Sequence, residues 1–412
     1  MAEVAIEFDN PYGVFVPGTE VTGSVLLAVR EPTKANSVLI SVHGEAHTHW
    51  TIQEPRTRMV TRTNAQGQMT THSETYYVTI PFTGCTPYAD GSAIVWTPPS
   101  GLSTDHIPPG NHRFPFRFLL PPNCPVSFEG AYGYIRYYCK ARIDRPWYKF
   151  DKTTKRVFTV IPPSDLNFIP NTTLPLQISQ TKETGVLFFK NGKISMTVKL
   201  HKGGFVPGEA IALEADIVNA SKSKIKHIRV KIVQCSHYTA YRGSETVQAN
   251  GQPISGYSRV PARREDHREV FRSEEKVEIV KGSSEKFTRL VPIPPVVATF
   301  NNCPIISVEY FLQMKITTNE TVSTNVSAQL PIIIGTIPLR QAPVPSAPQL
   351  QPGAPPIYPQ IPGDAPPPPS YAECVLGAGK VKGEDETDDF TPRYPIYPNI
   401  TPSAPPMESE KL

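Results

Sequence analysis

The sequence predicts an all-β protein: two tandem antiparallel β-sandwiches followed by a disordered, proline-rich tail. Three observations predict it. Forty-six of 412 residues are proline, against a usual level of about 5 %. That load excludes a helical bundle or a doubly wound α/β fold, because proline breaks helix interiors and central strands. Apolar residues alternate in short stretches between Pro, Gly and Asn turns, the signature of half-buried strands. One pattern also occurs twice along the chain, the mark of a duplicated domain.

The elements follow in order. Met1 to Phe8 alternates charged and apolar residues, which reads as a strand and not as a secretory signal. Phe15-Val16-Pro17-Gly18 is a turn between strands. Val38, Ile40 and Val42 fall on one sheet face, with Ser41 on the other. Leu120-Pro121-Pro122 and Ile135-Arg136-Tyr137-Tyr138 complete the first copy, residues 1–163. A linker is expected over 164–182. In the second copy, residues 183–338, the turn returns as Phe205-Val206-Pro207-Gly208 and the alternation as Ile228, Val230 and Ile232, both at an offset of 190. Ile293-Pro294-Pro295 and Val308-Glu309-Tyr310-Phe311 follow at an offset of 173. A constant offset, shortened once by a loop difference, is what duplication produces. Residues 339–412 form the tail.

Charge divides at the same boundary. From Arg340 onward there are five basic and nine acidic residues, a net of −4, so the body carries +8 of the chain's +4 total. This is too mild for a nucleic-acid binder, which concentrates basic residues in a stripe or motif. No stretch reaches the ~20 apolar residues needed to span a bilayer. The six cysteines have no Cys-x-x-Cys spacing and suit reduced thiols in the cytosol. The expected location is cytoplasmic, with recruitment to plasma membrane and endosomes.

The body resembles a known family. Pro125-Val126-Ser127-Phe128-Glu129-Gly130, Ile135-Arg136-Tyr137 and Asp144-Arg145-Pro146-Trp147 are similar to the N-terminal domain of α-arrestins. Ile334-Gly335-Thr336-Ile337-Pro338-Leu339 resembles the end of their C-terminal domain. The resemblance covers residues 1–340 and implies two arrestin-type sandwiches, no catalysis, and an adaptor between membrane-protein cargo and HECT-type ubiquitin ligases. The thioredoxin-binding member of the family uses a cysteine in the second domain. This chain has none between Cys235 and Cys303, so that role is not carried over.

The tail carries the motifs. Pro355-Pro356-Ile357-Tyr358 and Pro368-Pro369-Ser370-Tyr371 are PPxY sequences. Their prolines hold a polyproline II form, so little backbone entropy is lost when an aromatic WW groove takes the prolines and the tyrosine. Thirteen residues separate the two tyrosines, a flexible reach of about 20 Å, which suits tandem WW domains and avidity. Pro345-Ser346-Ala347-Pro348 and Pro402-Ser403-Ala404-Pro405 resemble the tetrapeptide read by the ubiquitin-variant domain of ESCRT-I, and imply passage to endosomal sorting or vesicle budding. A retromer-like scaffold with incidental tail motifs is the alternative. The acidic run Glu384 to Asp389, followed by Phe390-Thr391-Pro392-Arg393-Tyr394-Pro395-Ile396-Tyr397, reads as a solvated stretch or as a segment that folds back on the basic body and masks a binding face.

Within the body, Arg136, Lys140, Arg142, Arg145 and Lys149, with Lys222, Lys224 and Lys226, are candidates for an anionic surface site that binds phosphorylated cargo tails or membrane lipid. His43, His47 and His49 share strand parity with Glu45, but a straight strand spreads them too far for one ion, and no metal or cofactor is expected. No nucleophile elbow, HExxH, P-loop or dinucleotide glycine pattern occurs. Cys139 reads as a packed thiol.

Overall fold

Period-two burial runs through both halves of the chain. Val38, Ile40 and Val42 are buried, as are Ile228, Val230 and Ile232, so each alternating segment lays one face on a core. The computed structural model describes residues 2–63, 66–99, 105–186, 189–243, 245–246, 248, 250, 260–318, 325–340, 370–375, 379–380 and 389–397. No helix occurs among them, and none is long and apolar enough to cross a membrane.

The first domain comprises β1 (Ala2–Phe8), β2 (Val14–Phe15), β3 (Glu20–Val29), β4 (Thr33–Ala35), β5 (Ser37–Thr63), β6 (Met69–Trp96), β7 (Asp105–Ile107), β8 (Gly110–Leu119), β9 (Phe128–Gly130), β10 (Gly133–Asp144) and β11 (Lys152–Val160). The second comprises β12 (Leu176–Val186), β13 (Phe189–Leu200), β14 (Gly204–Phe205), β15 (Ala210–Ser221), β16 (Ile225–Arg242), β17 (Glu245–Thr246), β18 (Pro261–Ile279), β19 (Ser284–Pro292), β20 (Ile306–Thr318) and β21 (Val326–Ile334). The tail adds β22 (Ser370–Glu373), β23 (Gly379–Lys380), β24 (Asp389–Phe390) and β25 (Arg393–Ile396).

Each domain is a sandwich. In the first, sheet β1-β3-β8 packs on the path β2-β11-β10-β5-β6; in the second, β12-β13-β15-β19 packs on β14-β21-β20-β16, with β18 on the far side of β16. The duplication holds in detail. Both Val-Pro-Gly turns place glycine at positive φ, 80° at Gly18 and 91° at Gly208, as a type II turn requires. Both two-residue strands before those turns pair in parallel with the last strand of their domain, Val160 with Phe15 and Ile334 with Phe205. The fully buried Tyr137 and Tyr310 donate their hydroxyls to loop carbonyls, Pro125 at 2.8 Å and Val297 at 2.7 Å.

The two domains share one seam. The end of β16 pairs with β6, Tyr241 opposite Thr83, which joins the two larger sheets into one of 12 strands. Thr48 Oγ1 donates to the Thr239 carbonyl at 2.7 Å. Phe128 packs edge-on to Phe300 with ring centroids 5.8 Å apart, and Trp50, Tyr132 and Tyr238 extend the cluster. The segment expected as a linker belongs to this seam. Ser164 N donates to Thr336 Oγ1 at 2.7 Å, Leu166 N to the Ile337 carbonyl at 3.2 Å, and β12 already begins at Leu176. Its polar residues satisfy backbone groups while Leu166 buries itself against Val206, which a spacer composition did not announce.

Candidate functional site

Tyrosine and proline alternate over Tyr394-Pro395-Ile396-Tyr397, and in a tail otherwise poor in large side chains this is where apolar surface concentrates. The structure places the segment across the seam. Tyr394 and Tyr397 are buried, at 2 % and 4 % exposure. Tyr394 donates its hydroxyl to the Ser127 carbonyl of the first domain at 2.8 Å. Tyr397 donates its own to the Thr336 carbonyl of the second at 2.7 Å, and its amide to the Pro207 carbonyl at 3.0 Å. A Cβ on Gly208 would stand 2.7 Å from the Tyr397 backbone, so the bare glycine of the repeated turn also makes room for the tail. Burial holds both phenols protonated, Tyr397 at about 12 and Tyr394 well above its ordinary range. Of the two readings, the return to the body is the one the geometry matches over Phe390 to Tyr397; the acidic residues Glu384 to Asp388 lie outside the described residues.

The returning strand carries a second one with it. Antiparallel to β25 runs β22, with Tyr371 opposite Pro395 and Ala372 opposite Tyr394. Tyr371 lies half-buried with its ring centroid 5.9 Å from that of Tyr12. Cys374 N donates to the Pro392 carbonyl at 3.0 Å and Val375 N to the Pro295 carbonyl at 3.2 Å. The tyrosine of one PPxY sequence is thus engaged by the body. Its Pro368 and Pro369, together with Pro355, Pro356 and Tyr358 and both PSAP sequences (Pro345 to Pro348 and Pro402 to Pro405), lie outside the described residues.

The basic residues are more dispersed than the sequence suggested. Arg136 is corrected outright. Its guanidinium is buried in a two-pronged pair with Glu129, at 2.5 and 2.8 Å, and lies 3.9 Å from the Tyr134 ring centroid. Burial pushes the Glu129 carboxyl up, and Arg136 opposes that shift. A charge satisfied in this way is not offered to a lipid or a phosphopeptide. Arg142 and Lys149 do face solvent at the β10–β11 turn, with Arg142 3.9 Å from Asp151, while Lys140 is half-buried. Arg145 is drawn into the turn itself, its amide donating to Asp151 at 2.9 Å and its guanidinium to the Phe150 carbonyl at 3.5 Å. Trp147 and Phe150 stand beside them, 95 % and 96 % exposed. Lys222 and Lys224 lie on a different turn, between β15 and β16 in the second domain, with Lys226 at the start of β16, and Lys224 pairs with Glu278 at 2.6 Å.

His43, His47 and His49 do not converge on a common point. His43 pairs with Asp90 at 3.2 Å, and His47 stacks on Tyr134, with burial lowering its pKa. The thiols Cys85, Cys124, Cys139 and Cys235 are held at about 11 to 12, by burial first, the opposite of an activated nucleophile. A mixed Cys/His/Glu group on β16, β18 and β20 was not found from sequence, because its members meet only through cross-strand pairing.

The division into two sandwiches coincides with two family matches: Arrestin (or S-antigen), N-terminal domain, over residues 4–167, and Arrestin (or S-antigen), C-terminal domain, over residues 190–339. The chain belongs to the α-arrestin family. This α-arrestin is similar to arrestin domain-containing protein 17 of Caenorhabditis elegans, 29 % identical over 338 residues, covering 81 % of this chain and 70 % of the relative. It is 29 % identical over 399 residues to human arrestin domain-containing protein 4, covering 95 % and 84 %. With human arrestin domain-containing protein 1 it shares 30 % identity over 305 residues, covering 73 % and 64 %. The arrestin family is one of non-enzymatic adaptors, and both domains of this chain belong to it.

Proposed function

We propose that this α-arrestin is a trafficking adaptor whose body binds membrane-protein cargo and whose tail recruits a HECT-type ubiquitin ligase through WW domains. The observation that carries the reading is the pair of PPxY sequences ending in Tyr358 and Tyr371, behind a double arrestin body. Holding a ligase beside cargo raises its effective concentration at cargo lysines, which is all the catalysis an adaptor needs to supply. The PSAP sequences would then hand the assembly to ESCRT-I, and the adaptor would work at the plasma membrane and endosomes.

The docked tail gives this reading a control point. A WW domain takes the PPxY tyrosine into its own pocket, so binding at Tyr371 requires β22 to leave β25 and the Tyr12 ring. For membrane contact, the β10–β11 turn supports the anionic-lipid reading best: exposed Trp147 and Phe150 beside Arg142 and Lys149 combine an interfacial aromatic pair with attraction to anionic headgroups.

Tyr358→Ala combined with Tyr371→Ala in the full chain should abolish capture of a purified WW-containing HECT ligase and ubiquitination of captured cargo. Undiminished capture by the double variant would overturn the proposal. Flotation with phosphatidylserine vesicles should weaken severalfold in Trp147→Ala/Phe150→Ala.

A further inference from the structure

On the central strand of the second domain's larger sheet, even-numbered residues face the core: Gln234 hydrogen-bonds the buried Tyr310, and Ser236 and Tyr238 are buried with it. Odd-numbered residues therefore face outward. Cys235 is one of them, yet it is only 2 % exposed. What covers it comes from both neighbouring strands. Directly opposite Cys235 stand His267 on β18 and Glu309 on β20, and one step along the same face His237 stands opposite Glu265. A buried thiol on the solvent side of a sheet, roofed by two imidazoles and two carboxylates, is the donor set of a borderline-soft divalent cation.

Cys235, His237 and Glu309 bring their ligand atoms within 4.8 Å of one another, and Cys235, His267 and Glu265 form a second such triad on the same sulfur. Cys235 Sγ lies 3.5 Å from His237 Nε2, which lies 2.9 Å from Glu309 Oε1. His267 Nε2 is 3.9 Å from the same sulfur. With Zn–S near 2.3 Å and Zn–N near 2.0–2.1 Å, the edges of a tetrahedral site come to about 3.3–3.6 Å. The sulfur–His237 edge already fits; the His237–Glu309 edge must open and the sulfur–His267 edge close by a few tenths of an ångström, and the exposed His267 ring, which groups with Glu265 and not with His237 or Glu309, must swing toward them when the ion binds. The support shell is present too. Glu265 Oε1 lies 3.3 Å from His237 Nδ1, the ring nitrogen left over when Nε2 ligates, and metal-bound histidines are held in this way by a carboxylate.

We propose that Cys235, His237, His267 and Glu309 form a zinc site on the outer face of the second domain, with Glu265 orienting His237. Three strands contribute ligands, so the ion ties β18 and β20 to β16 and acts structurally, with its four positions filled by protein. Zinc bound only by the folded chain adds directly to its stability.

The test uses the purified full chain, stripped with a chelator and titrated with cobalt(II) as the spectroscopic substitute. The expected result is a thiolate-to-cobalt charge-transfer band that saturates at equimolar metal, is displaced by zinc, and is lost in Cys235→Ser. Glu265→Gln should keep the band but weaken affinity about 10–100-fold. Zinc should raise the unfolding temperature of the wild type and not that of Cys235→Ser, whose fold is checked by circular dichroism. No band at saturating cobalt, or an unchanged band in Cys235→Ser, would overturn the site.

Discussion

Single residues decide where charge is available. Arg136 was legible as a basic residue of a strand, but not as a buried one, because its partner Glu129 reaches it across the β9–β10 hairpin, a meeting that no helical or period-two spacing marks. Removing one member of such a pair strands the other's charge, at a cost of roughly 3–5 kcal/mol. Glu129→Ala should therefore lower the unfolding temperature by on the order of 10 °C for a domain of this size, whereas Lys149→Ala on the exposed turn should leave it nearly unchanged. Tyr394 acts at the same scale. Tyr394→Phe keeps the ring but leaves the Ser127 carbonyl without its donor, worth about 1 kcal/mol. In limited proteolysis the tail of that variant should be cut faster than wild type while the two sandwiches resist equally. Gly208→Ala should do the same by crowding the Tyr397 backbone.

At the scale of elements, sequence alternation located the strands well because it follows directly from the pleat. It could not tell which strands become neighbours, and that decides what the second domain's basic residues do. Along β16 and β18, Lys224 faces Glu278, Arg229 faces Glu274 and Lys231 pairs with Glu269. Hydrogen bonds from these cations hold all three carboxyls below the usual 4.5. The unfolded chain then binds more protons than the folded one between the lowered values and 4.5. The ladder's contribution is complete above the ordinary value and is lost as pH falls through the lowered ones. These pairs are exposed, so each contributes little and salt screens it. Between about pH 6 and about pH 3, wild type should lose more thermal stability than Arg229→Gln, and the gap should narrow in high salt.

For the whole molecule, the duplication was readable because two turns and two pairs of prolines recur in register, and the structure places both copies at matching points of matching sandwiches. The seam was not readable: the expected linker joins it through Leu166, and the tail joins it through Tyr394 and Tyr397. Long-range docking of a few aromatics leaves no periodic trace. On the proposed function, body and tail communicate, since a WW domain at Tyr371 and the pairing of β22 with β25 exclude each other. Calorimetric titration of a tandem-WW ligase fragment into the full chain tests this most directly. Binding should be tight to wild type, severalfold tighter to Tyr394→Ala, whose tail no longer competes, and lost in Tyr358→Ala/Tyr371→Ala. Equal affinity for wild type and the double variant would contradict it.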